Sequence, residues 1–471
     1  MDFTSFDDTI VAPATVPGTG AITVIRVSGP EALQVTGKVV RCKSRSIESS
    51  DANSVRYGIV YDEDGSIVDE VLVSIFKAPH SYTGEDSAEI SCHASSFVAS
   101  EIMRLLCHAG ARMATPGEFT RRSFINGKMD LAQAEAVADV ISSSGSASLR
   151  VAMNQLRGGY SADLREIRSR LVELTSLLEL ELDFSEEDVE FADRSRLKGL
   201  VEEVLSRIDS LASSFRYGNA LRNGVPVAIV GAVNSGKSTL LNALLGDERA
   251  IVSDVPGTTR DTVEETLILD GILFRFIDTA GLRDASDTVE KIGISRSLKK
   301  LSEASVVVAM LDVTLSEEEN ASSISDIVDK IDLSWQKLIV LFNKADLLGF
   351  NNNVSILNKT VSSSDEKVVK LYISAKTGFG LDELKKWLVD SQKDFTYNSD
   401  QTIVTNLRHY EALQNAASAL ERVKTSLSFG LTPDLIAEDL RESIRHLGTI
   451  TGEVTTDEVL GEIFGRFCIG K

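Results

Sequence analysis

The chain has 471 residues, of which 43% are hydrophobic and 25% are charged, and its formal net charge is −21. This length exceeds what a single hydrophobic core supports, so we expect two to four domains of ordinary globular composition. The acidic excess repels phosphate backbones at long range, which disfavours tight nucleic-acid binding by the chain on its own.

Features that direct a protein to a membrane or to an oxidising compartment do not stand out in this sequence. The opening segment MDFTSFDDTI has no basic flank and no apolar core of the kind found in signal peptides. The longest apolar runs, such as 306–311, are far too short to span a bilayer. Four cysteines show no CxxC pairing and no histidine at zinc spacing: Cys42, Cys92, Cys107 and Cys468. We therefore expect a reduced, cytoplasmic protein without membrane contact.

The first hundred or so residues mix two periodicities and predict a small α+β domain. Strand-like runs cover 21–27 and 67–76, and a helical run covers 95–107. A basic cluster follows, in which four basic residues stand against one acidic residue: Arg112, Arg121, Arg122 and Lys128 against Glu118. Composition favours a solvated surface for this cluster, with a local binding patch as the alternative.

From about residue 128 the pattern becomes almost wholly helical, and one apolar stripe at helical spacing runs from Leu197 to Leu211. A short apolar strand at 225–230 then opens an α/β region, where strands alternate with helices as in a mostly parallel sheet. Asp270-Gly271 is a strong hairpin turn between two of these strands. The further expected strands are 263–269, 272–277, 306–311, 338–342 and 368–373.

Helices return after about residue 391, with a second apolar stripe from Leu413 to Leu427. Thr432-Pro433 predicts one helix start, and the spacing of Thr455 and Glu458 predicts a capping box at another. A helical block on each side of the α/β region indicates that the α/β domain interrupts one helical domain. Two separate helical domains would give a similar pattern.

The segment GAVNSGKS, Gly231 to Ser238, fits the phosphate-binding pattern GxxxxGK[ST] and stands between a strand and a helix. Its glycines let backbone N–H groups surround phosphates at a helix N-terminus. Lys237 is expected to reach the β- and γ-phosphates, and the hydroxyl of Ser238 is expected to bind Mg²⁺. With both flanking elements in place, a chance loop is a poor explanation of the match.

Three more segments complete a guanine-nucleotide site. DTAG, ending at Gly281, offers a carboxylate for water-mediated contact with Mg²⁺ and an amide for the γ-phosphate. In NKAD, Asp346 can accept hydrogen bonds from guanine N1–H and the 2-amino group, and adenine has no donor at either place. Ser374-Ala375-Lys376 would place a backbone amide near guanine O6. The order of these segments indicates a GTP-hydrolysing protein.

The residues expected to contact the nucleotide lie in these segments and in a loop after the first helix of the α/β region. They are Asn234, Ser235, Gly236, Lys237, Ser238, Thr239, Ser253, Asp254, Val255, Pro256, Gly257, Thr258, Thr259, Asp278, Thr279, Ala280, Gly281, Asn343, Lys344, Ala345, Asp346, Ser374, Ala375 and Lys376. The motifs resemble the translation-factor class of GTPases. Leu282 follows DTAG where the Ras type has a water-orienting glutamine, and no arginine finger is evident, so another group must orient the water.

Longer segments resemble the MnmE/TrmE family of tRNA-modification GTPases over nearly the whole chain. They are DTIVAPAT at 8–15, SYTGEDSAEI at 81–90, PGEFTRRSFINGKMDLAQAEAVADVI at 116–141, GTTRD at 257–261, DTAGLR at 278–283, VEKIG at 289–293 and FCIGK at 467–471. Related ribosome-assembly GTPases share only the central domain, so the match is specific. It implies an N-terminal α+β tetrahydrofolate-binding and dimerisation domain at 1–125. It also implies a helical domain at 126–222 and 391–471, interrupted by a doubly wound P-loop GTPase domain, the G domain, at 223–390.

The resemblance implies that hydrolysis depends on potassium, which would lie where an arginine finger places its charge. The residues implied to hold this ion are Asn234, Ser253, Val255 and Thr258. Thr259 is implied to complete the Mg²⁺ shell, together with Ser238. Glu290 is implied to orient the attacking water, as a catalytic residue beside Lys237. The residue pattern by itself would make Glu290 a surface carboxylate on a helix.

The resemblance also implies a tetrahydrofolate site, where a 5-formyl or 5,10-methylene derivative carries a one-carbon unit. Glu89 can accept hydrogen bonds from the aminopyrimidine edge of a pterin, and the other implied contacts are Arg26, Lys128 and Lys471. Cys468 in FCIGK is either a catalytic nucleophile towards the uridine ring or a packed thiol.

The implied function is modification of C5 of the wobble uridine, position 34, of certain tRNAs to an aminomethyl or carboxymethylaminomethyl form. The family implies a homodimer whose GTP hydrolysis drives dimerisation cycles of the G domains. It also implies an FAD-containing partner of the MnmG/GidA type in a heterotetramer, which would supply most of the tRNA-binding surface. A ribosome-assembly switch is one alternative, but it would need a basic C-terminal RNA-binding module, and the residues after Asp400 have mixed charge. A stand-alone folate-dependent aminomethyl carrier would leave the complete GTP site unexplained.

Overall fold

A computed structural model describes most of the chain in two compact units. The described residues are 7–18, 20–43, 45–183, 194–232, 234–246, 265–278, 301–348, 368–392, 402–429, 431–465, 467 and 469–470. Unit 1 comprises Met1–Ile141, Asn154–Arg207 and Ala412–Lys471, and unit 2 comprises Ser142–Met153 and Ile208–Glu411. Unit 1 thus takes its residues from both sides of unit 2, which confirms the expected interruption. The domain bounds set from the sequence remain predictions, because the units group the chain more coarsely.

The described residues form thirteen strands, β1 to β7 in unit 1 and β8 to β13 in unit 2, together with the helices named below. The strands are β1 Ile10–Pro13, β2 Ile22–Ser28, β3 Val40–Cys42, β4 Ser54–Tyr61, β5 Ile67–Phe76, β6 Ser87–His93, β7 Arg112–Met113, β8 Val225–Gly231, β9 Glu265–Leu269, β10 Ile272–Asp278, β11 Val306–Asp312, β12 Lys337–Asn343 and β13 Val368–Tyr372. The helices are α1 Ala32–Val39, α2 Ser96–His108, α3 Glu118–Ile125, α4 Leu131–Ser142, α5 Ser146–Leu156, α6 Gly159–Asp183, α7 Arg194–Ser213, α8 Phe215–Asn223, α9 Lys237–Leu245, α10 Glu317–Val328, α11 Leu381–Asp390, α12 Leu407–Phe429, α13 Pro433–Thr451 and α14 Asp457–Gly465. None of the described helices is long and apolar enough to cross a membrane.

Unit 1 contains a sheet in the order β3-β4-β5-β6-β2-β1-β7, antiparallel except where β1 and β7 run parallel. Successive side chains of β5 point to opposite faces of this sheet. Val71, Val73 and Ile75 lie on the buried face, and Leu72 on the other face is half exposed. The buried side chains of this face pack with those of α1 and α2 in one core. The expected α+β character of the N-terminal region is thereby confirmed.

The long helices of unit 1 follow the predicted stripes. Leu197 and Val201 of α7 and Leu413 and Leu420 of α12 are buried. Helix α13 begins after Thr432 with proline at its start, as predicted. The capping box predicted at Thr455 and Glu458 is wrong by one residue, because α14 begins at Asp457 and the Val459 amide donates to the Thr456 hydroxyl at 3.4 Å.

The basic cluster near α3 is not the solvated surface that composition favoured. Arg122 is fully buried and pairs with Asp8, Glu85 and Glu118 at 2.6, 3.1 and 3.1 Å. Glu118 is also buried and bonds Arg112 at 2.6 Å. Burial alone would raise the pKa of Glu118, but the hydrogen bonds and positive charges of Arg112 and Arg122 outweigh it and lower this pKa to about 2. Spacing along the chain gives no sign of this network, because Asp8 and Glu85 are distant in sequence.

Unit 2 is built on a doubly wound sheet in the order β13-β12-β11-β8-β10-β9. All its neighbouring strands are parallel except β9, which pairs antiparallel with β10 through the predicted hairpin. Asp270 and Gly271 in the turn have φ of +48° and +78°, as a two-residue hairpin turn of this hand requires. Parallel strands place their carboxyl ends at one edge, so β8, β10, β11 and β12 all end there.

Candidate functional site

The segment between β8 and α9 has the backbone conformation of a phosphate-binding loop. Asn234 and Gly236 both have positive φ, +67° and +100°. A Cβ on Gly236 would collide with the side-chain nitrogen of Asn343, so only glycine fits there. The N-cap residue of α9 is Gly236, which makes no side-chain hydrogen bond to the first helical turn. A helix start of this kind presents backbone amide groups and a positive dipole end that suit an anion.

Two predicted phosphate and metal residues stand at the start of α9. The Lys237 ammonium donates to the carbonyl oxygens of Gly231 and Ala232, each at 2.9 Å, so it lies across the loop. Ser238 and Thr239 are exposed in the first helical turn. A hydroxyl exposed beside a phosphate cradle is a suitable oxygen ligand for Mg²⁺, which keeps most of its other ligands as water and phosphate. The residues present therefore fit a magnesium nucleotide.

Asn343 ties the phosphate loop to the predicted base-binding segments. Its side-chain nitrogen donates to the Ser235 carbonyl at 2.8 Å, and its side-chain oxygen accepts from the Ala375 amide at 3.0 Å. Asn343 is almost fully buried, so these bonds have little competition from water. The structure thus brings three segments that are distant in sequence to one edge of the sheet.

Asp346 is also held in place from a second segment. The Ser374 hydroxyl donates to the Asp346 carboxylate at 2.7 Å, and the Ala345 amide donates to the Ile373 carbonyl at 3.1 Å. One oxygen of Asp346 is engaged by this bond. The carboxylate is exposed, and a carboxylate can accept from two adjacent N–H donors such as those of guanine. Lys376 is exposed on the same loop.

Asp312, at the end of β11, is a residue of this edge that the sequence reasoning missed. Its Oδ2 lies 2.5 Å from the Lys344 ammonium. Burial would raise the pKa of Asp312, but the hydrogen bonds from Lys344 and Thr314 outweigh it and keep this pKa below its ordinary value. A carboxylate at the end of a central parallel strand, next to a strand that ends in a binding motif, was the sequence feature that could have revealed it.

Several predicted site residues cannot be placed. Asp278 ends β10 beside Ile229 of β8, as expected, but its side chain lies outside the described residues. The others that lie wholly outside them are Ser253, Asp254, Val255, Pro256, Gly257, Thr258, Thr259, Thr279, Ala280, Gly281, Leu282, Glu290, Cys468 and Lys471. Of the residues implied to hold potassium, only Asn234 is described, and its side chain is exposed.

Two of the predicted folate residues lie together in unit 1. Arg26 of β2 and Glu89 of β6 are cross-strand partners. Two guanidinium nitrogens of Arg26 meet Glu89 Oε1, at 3.0 and 2.9 Å. Arg26 also lies over the rings of Tyr82 and Phe119, at 5.1 and 5.6 Å. Glu89 is partly exposed and its second oxygen accepts no hydrogen bond among the described residues, so an amine-bearing edge can be received there.

The remaining folate predictions are less closely grouped. The Lys128 ammonium donates to the Pro79 carbonyl at 2.9 Å, and among the described residues it forms no hydrogen bond or ion pair with Arg26 or Glu89. Gly470, which precedes Lys471, is buried with φ of +96° against the backbone of Pro13 and Ala14. Pro13 is the last residue of β1, the strand that pairs with β2. The FCIGK segment therefore reaches the sheet that carries Arg26.

Helix α14 provides the anchor for this segment. Gly117, with φ of +66°, leaves so little room that an added Cβ would stand 2.6 Å from the Phe464 carbonyl oxygen and 3.0 Å from Phe467 Cβ. Phe464 is buried and faces the ring of Phe124, with ring centroids 6.5 Å apart. Close backbone contact at Gly117 thus fixes α14 against the start of α3.

Comparisons with known proteins cover nearly the whole chain. Residues 131–468 match the family model described as MnmE helical domain, and residues 9–128 match the model described as GTP-binding protein TrmE N-terminus. Similar curated proteins carry the name tRNA modification GTPase MnmE, and they include the proteins of three species. The protein of Bacteroides fragilis is 49% identical over 98% of this chain and 99% of its own length. That of Cytophaga hutchinsonii is 47% identical over 99% of both chains, and that of Parabacteroides distasonis is 46% identical over 98% of this chain and 100% of its own.

Proposed function

Because the chain belongs to the MnmE family of tRNA modification GTPases, we propose that it modifies C5 of the wobble uridine, position 34, of certain tRNAs. The product is an aminomethyl or carboxymethylaminomethyl group whose bridging carbon comes from a tetrahydrofolate derivative. One observation carries the GTPase half of this proposal. Asn343 joins the phosphate loop to the segment that carries Ala375, so phosphate and base determinants form one connected site.

Mass spectrometry of wobble nucleosides tests the whole proposal. Cells that lack the protein should contain tRNA with unmodified C5 at position 34, and the wild-type gene should restore the group. A gene that encodes the Lys237→Ala variant should fail to restore the modification, because the phosphates of the nucleotide lose their contact with the ammonium group. Full modification in cells without the protein would refute the proposal.

The nucleotide would be held by its two ends. Lys237, Ser238 and Thr239 at the start of α9 would meet the phosphates, and Asp346 with the Ala375 amide would meet the base. The loop amides of Asn234, Ser235 and Gly236 complete the cradle for the phosphates. Asp278, Thr279, Ala280 and Gly281 would contact the magnesium water shell and the γ-phosphate, and Ser238 with Thr259 would supply its two protein oxygens. Bound magnesium supplies charge neutralisation between the β- and γ-phosphates.

In this proposal Glu290 orients the attacking water, because Leu282 has no group that can hydrogen-bond to that water. A bound potassium ion would supply the compensating charge that an arginine finger provides in other GTPases. Asn234, Ser253, Val255 and Thr258 would be its ligands. Glu290→Ala should lower the rate of hydrolysis by about 10²–10⁴-fold while the affinity for GTP changes little.

Potassium dependence is tested by GTP turnover in KCl and in NaCl at equal ionic strength. We expect faster turnover in KCl, and we expect Asn234→Ala to remove the difference while GTP still binds through Lys237. Asn223→Ala, at the exposed end of α8, is the matched control and should keep the difference. Equal turnover of the wild type in both salts would remove potassium from the mechanism.

The folate would bind at the Arg26–Glu89 pair. The free oxygen of Glu89 would accept from the pterin, while Arg26, Lys128 and Lys471 would meet carbonyl and carboxylate oxygens of the folate. Glu89→Gln should weaken 5-formyl-tetrahydrofolate binding in calorimetric titration, since an amide accepts less strongly from two donors. Glu48→Gln, an exposed carboxylate of the same unit, should leave the affinity unchanged. In this scheme Cys468 acts either as a nucleophile or as a packed thiol. Mass spectrometry of wobble nucleosides from cells that express the Cys468→Ser variant decides between these two roles.

The assembly proposed is a homodimer through the N-terminal domain, joined by an FAD-containing partner of the MnmG/GidA type in a heterotetramer. GTP hydrolysis would drive dimerisation and separation of the G domains, and tRNA would bind mainly through the partner in the cytoplasm. The net charge of −21 supports this division, because it opposes binding of tRNA phosphates by this chain.

A further inference from the structure

We propose that Asp312 is a positioning residue of the nucleotide site, which holds the Lys344 ammonium so that the methylene stem of Lys344 forms a fixed flat surface for the face of the base. This inference rests on the proposed nucleotide site and adds a determinant of affinity to it. It assigns a role to a residue that lies outside the GxxxxGK[ST], DTAG, NKAD and Ser374–Lys376 segments.

The position of Asp312 follows from the sheet. It ends β11 and is the register partner of Asn343 at the end of β12. Both of its carboxylate oxygens are used, since Oδ1 accepts from the Thr314 amide at 3.0 Å and the Thr314 hydroxyl at 2.7 Å, while Oδ2 meets Lys344. The carboxylate is therefore fixed in orientation before any ligand binds.

The backbone on each side of Lys344 is fixed as well. The Asn343 side chain bonds both the Ser235 carbonyl and the Ala375 amide, and the Ala345 amide bonds the Ile373 carbonyl. Lys344 itself has φ of +67°, a conformation that non-glycine residues seldom adopt. The part of Lys344 left free to move is its side chain, and the contact with Asp312 removes that freedom.

A lysine held in this way can contribute apolar surface at low entropic cost. The Lys344 side chain is 33% exposed, so part of its stem remains open although its charged end is engaged. Long charged side chains commonly present their methylenes as an apolar surface while the charged end is solvated or paired. Contact with the face of a purine does not depend on the groups at its edge. Asp312 should therefore raise affinity for guanine and hypoxanthine nucleotides alike, whereas Asp346 selects between purines.

The test compares GDP and IDP binding by the full chain, with nucleotide dissociation rates as a second readout. Asp312→Ala should weaken GDP and IDP binding by a similar factor, about tenfold, as expected for loss of one coupled contact. Asp312→Asn keeps the shape of the side chain and one acceptor oxygen. Its affinities for GDP and IDP should therefore lie between those of Asp312→Ala and the wild type. In GTP hydrolysis the KM should rise while kcat is retained, because the contact is the same in the ground state and the transition state.

A Lys344→Met background separates positioning from folding. Methionine keeps a comparable apolar stem without the ammonium, so loss of Asp312 should have no further effect on nucleotide affinity there. A persistent effect in that background would overturn the proposal and make Asp312 a structural residue of its loop. Unchanged GDP and IDP affinity in both Asp312→Asn and Asp312→Ala would also overturn it.

Failure of this inference is distinguishable from failure of the nucleotide site itself. Asp346→Asn should shift the base preference whether or not Asp312 matters. If Asp346→Asn shifts it and the Asp312 variants bind as the wild type does, the inference alone is wrong. If Asp346→Asn leaves the preference unchanged, the assignment of the base site is wrong, and the inference falls with it.

Discussion

At the scale of single residues, the nucleotide site depends on side chains that are oriented by other side chains. Ser374 donates to Asp346 at 2.7 Å, which leaves the rest of the carboxylate to accept from a base. Guanine presents two donors to such a carboxylate, whereas xanthine presents a carbonyl oxygen in place of the amino group. Base choice is therefore a matter of donor and acceptor pairing at one residue.

Asp346→Asn should reverse the preference for guanine over xanthine. The amide nitrogen of asparagine would face the xanthine oxygen as a donor, but it would oppose the amino group of guanine. We expect GDP affinity to fall at least about 100-fold and XDP affinity to rise. Competition binding with both nucleotides measures the two affinities, and Asp382→Asn, at an exposed position of α11, is the control.

A buried carboxylate gives unit 1 a specific sensitivity to acid. The pKa of Glu118 in the folded protein is about 2, below its ordinary value of 4.5. The folded state therefore binds fewer protons than the unfolded state. The stabilisation that the charged Glu118 gives the folded protein is complete above pH 4.5 and is lost as the pH falls towards 2.

Glu118→Gln should reduce the free energy of unfolding by about 3 kcal/mol at pH 7, because each pKa unit corresponds to about 1.4 kcal/mol. The difference from the wild type should narrow as the pH falls below 4.5. Urea unfolding of both proteins between pH 6 and pH 3 measures this. A difference that stayed constant over that range would show that Glu118 contributes through packing and not through charge.

At the scale of elements, the contact between α14 and α3 depends on one glycine. An added Cβ at Gly117 would meet the Phe464 carbonyl and the Phe467 side chain, and the residue also has positive φ. The sequence predicted the helix that contains Phe464, since its apolar spacing is local. It could not predict the partner of that helix, because residues 117 and 464 are related only through the folded chain.

Gly117→Ala should lower the stability of unit 1 by about 1–3 kcal/mol, through backbone strain and overpacking. It should also weaken 5-formyl-tetrahydrofolate binding if FCIGK contributes to that site. Gly461→Ala in α14 is the matched control, since nothing lies within 4 Å of an added Cβ there. That variant should be neutral or more stable in thermal unfolding, so equal loss in both variants would contradict the assignment.

Elements with local patterns were predicted more accurately than their connections. The β8 strand, the phosphate loop and α9 follow from spacing within one segment, as does the Asp270-Gly271 turn. The pairing of β2 with β6 in the sheet of unit 1 has no such local determinant, since the register partners Arg26 and Glu89 are 63 residues apart in the sequence. Arg122 was wrongly expected in a solvated patch for the same reason, because its partners Asp8 and Glu85 are remote in sequence.

At the scale of the whole molecule, the net charge of −21 constrains how tRNA can be engaged. Nucleic-acid affinity in the absence of base contacts comes from release of counterions by basic residues. The chain alone should bind tRNA more weakly than about 100 µM at physiological salt. Gel-shift titration measures this, and addition of the flavin-containing partner should produce the complex. Tight binding by the chain alone would contradict the proposed division of roles.

The contact of Gly470 with Pro13 and Ala14 also has a consequence for biosynthesis. At about 5–20 residues per second, a ribosome needs roughly 20–90 s to proceed from Pro13 to Gly470. Throughout that interval the end of β1 lacks the segment that covers it, whereas unit 2 has every strand of its sheet once Tyr372 has been made. A polypeptide released after Tyr372 but before Gly470, for example from a stalled ribosome, would therefore have the complete sheet of unit 2 but an uncovered end of β1. The order of translation thus makes the cover over the end of β1, next to the strand that carries Arg26, one of the last features of unit 1 to form.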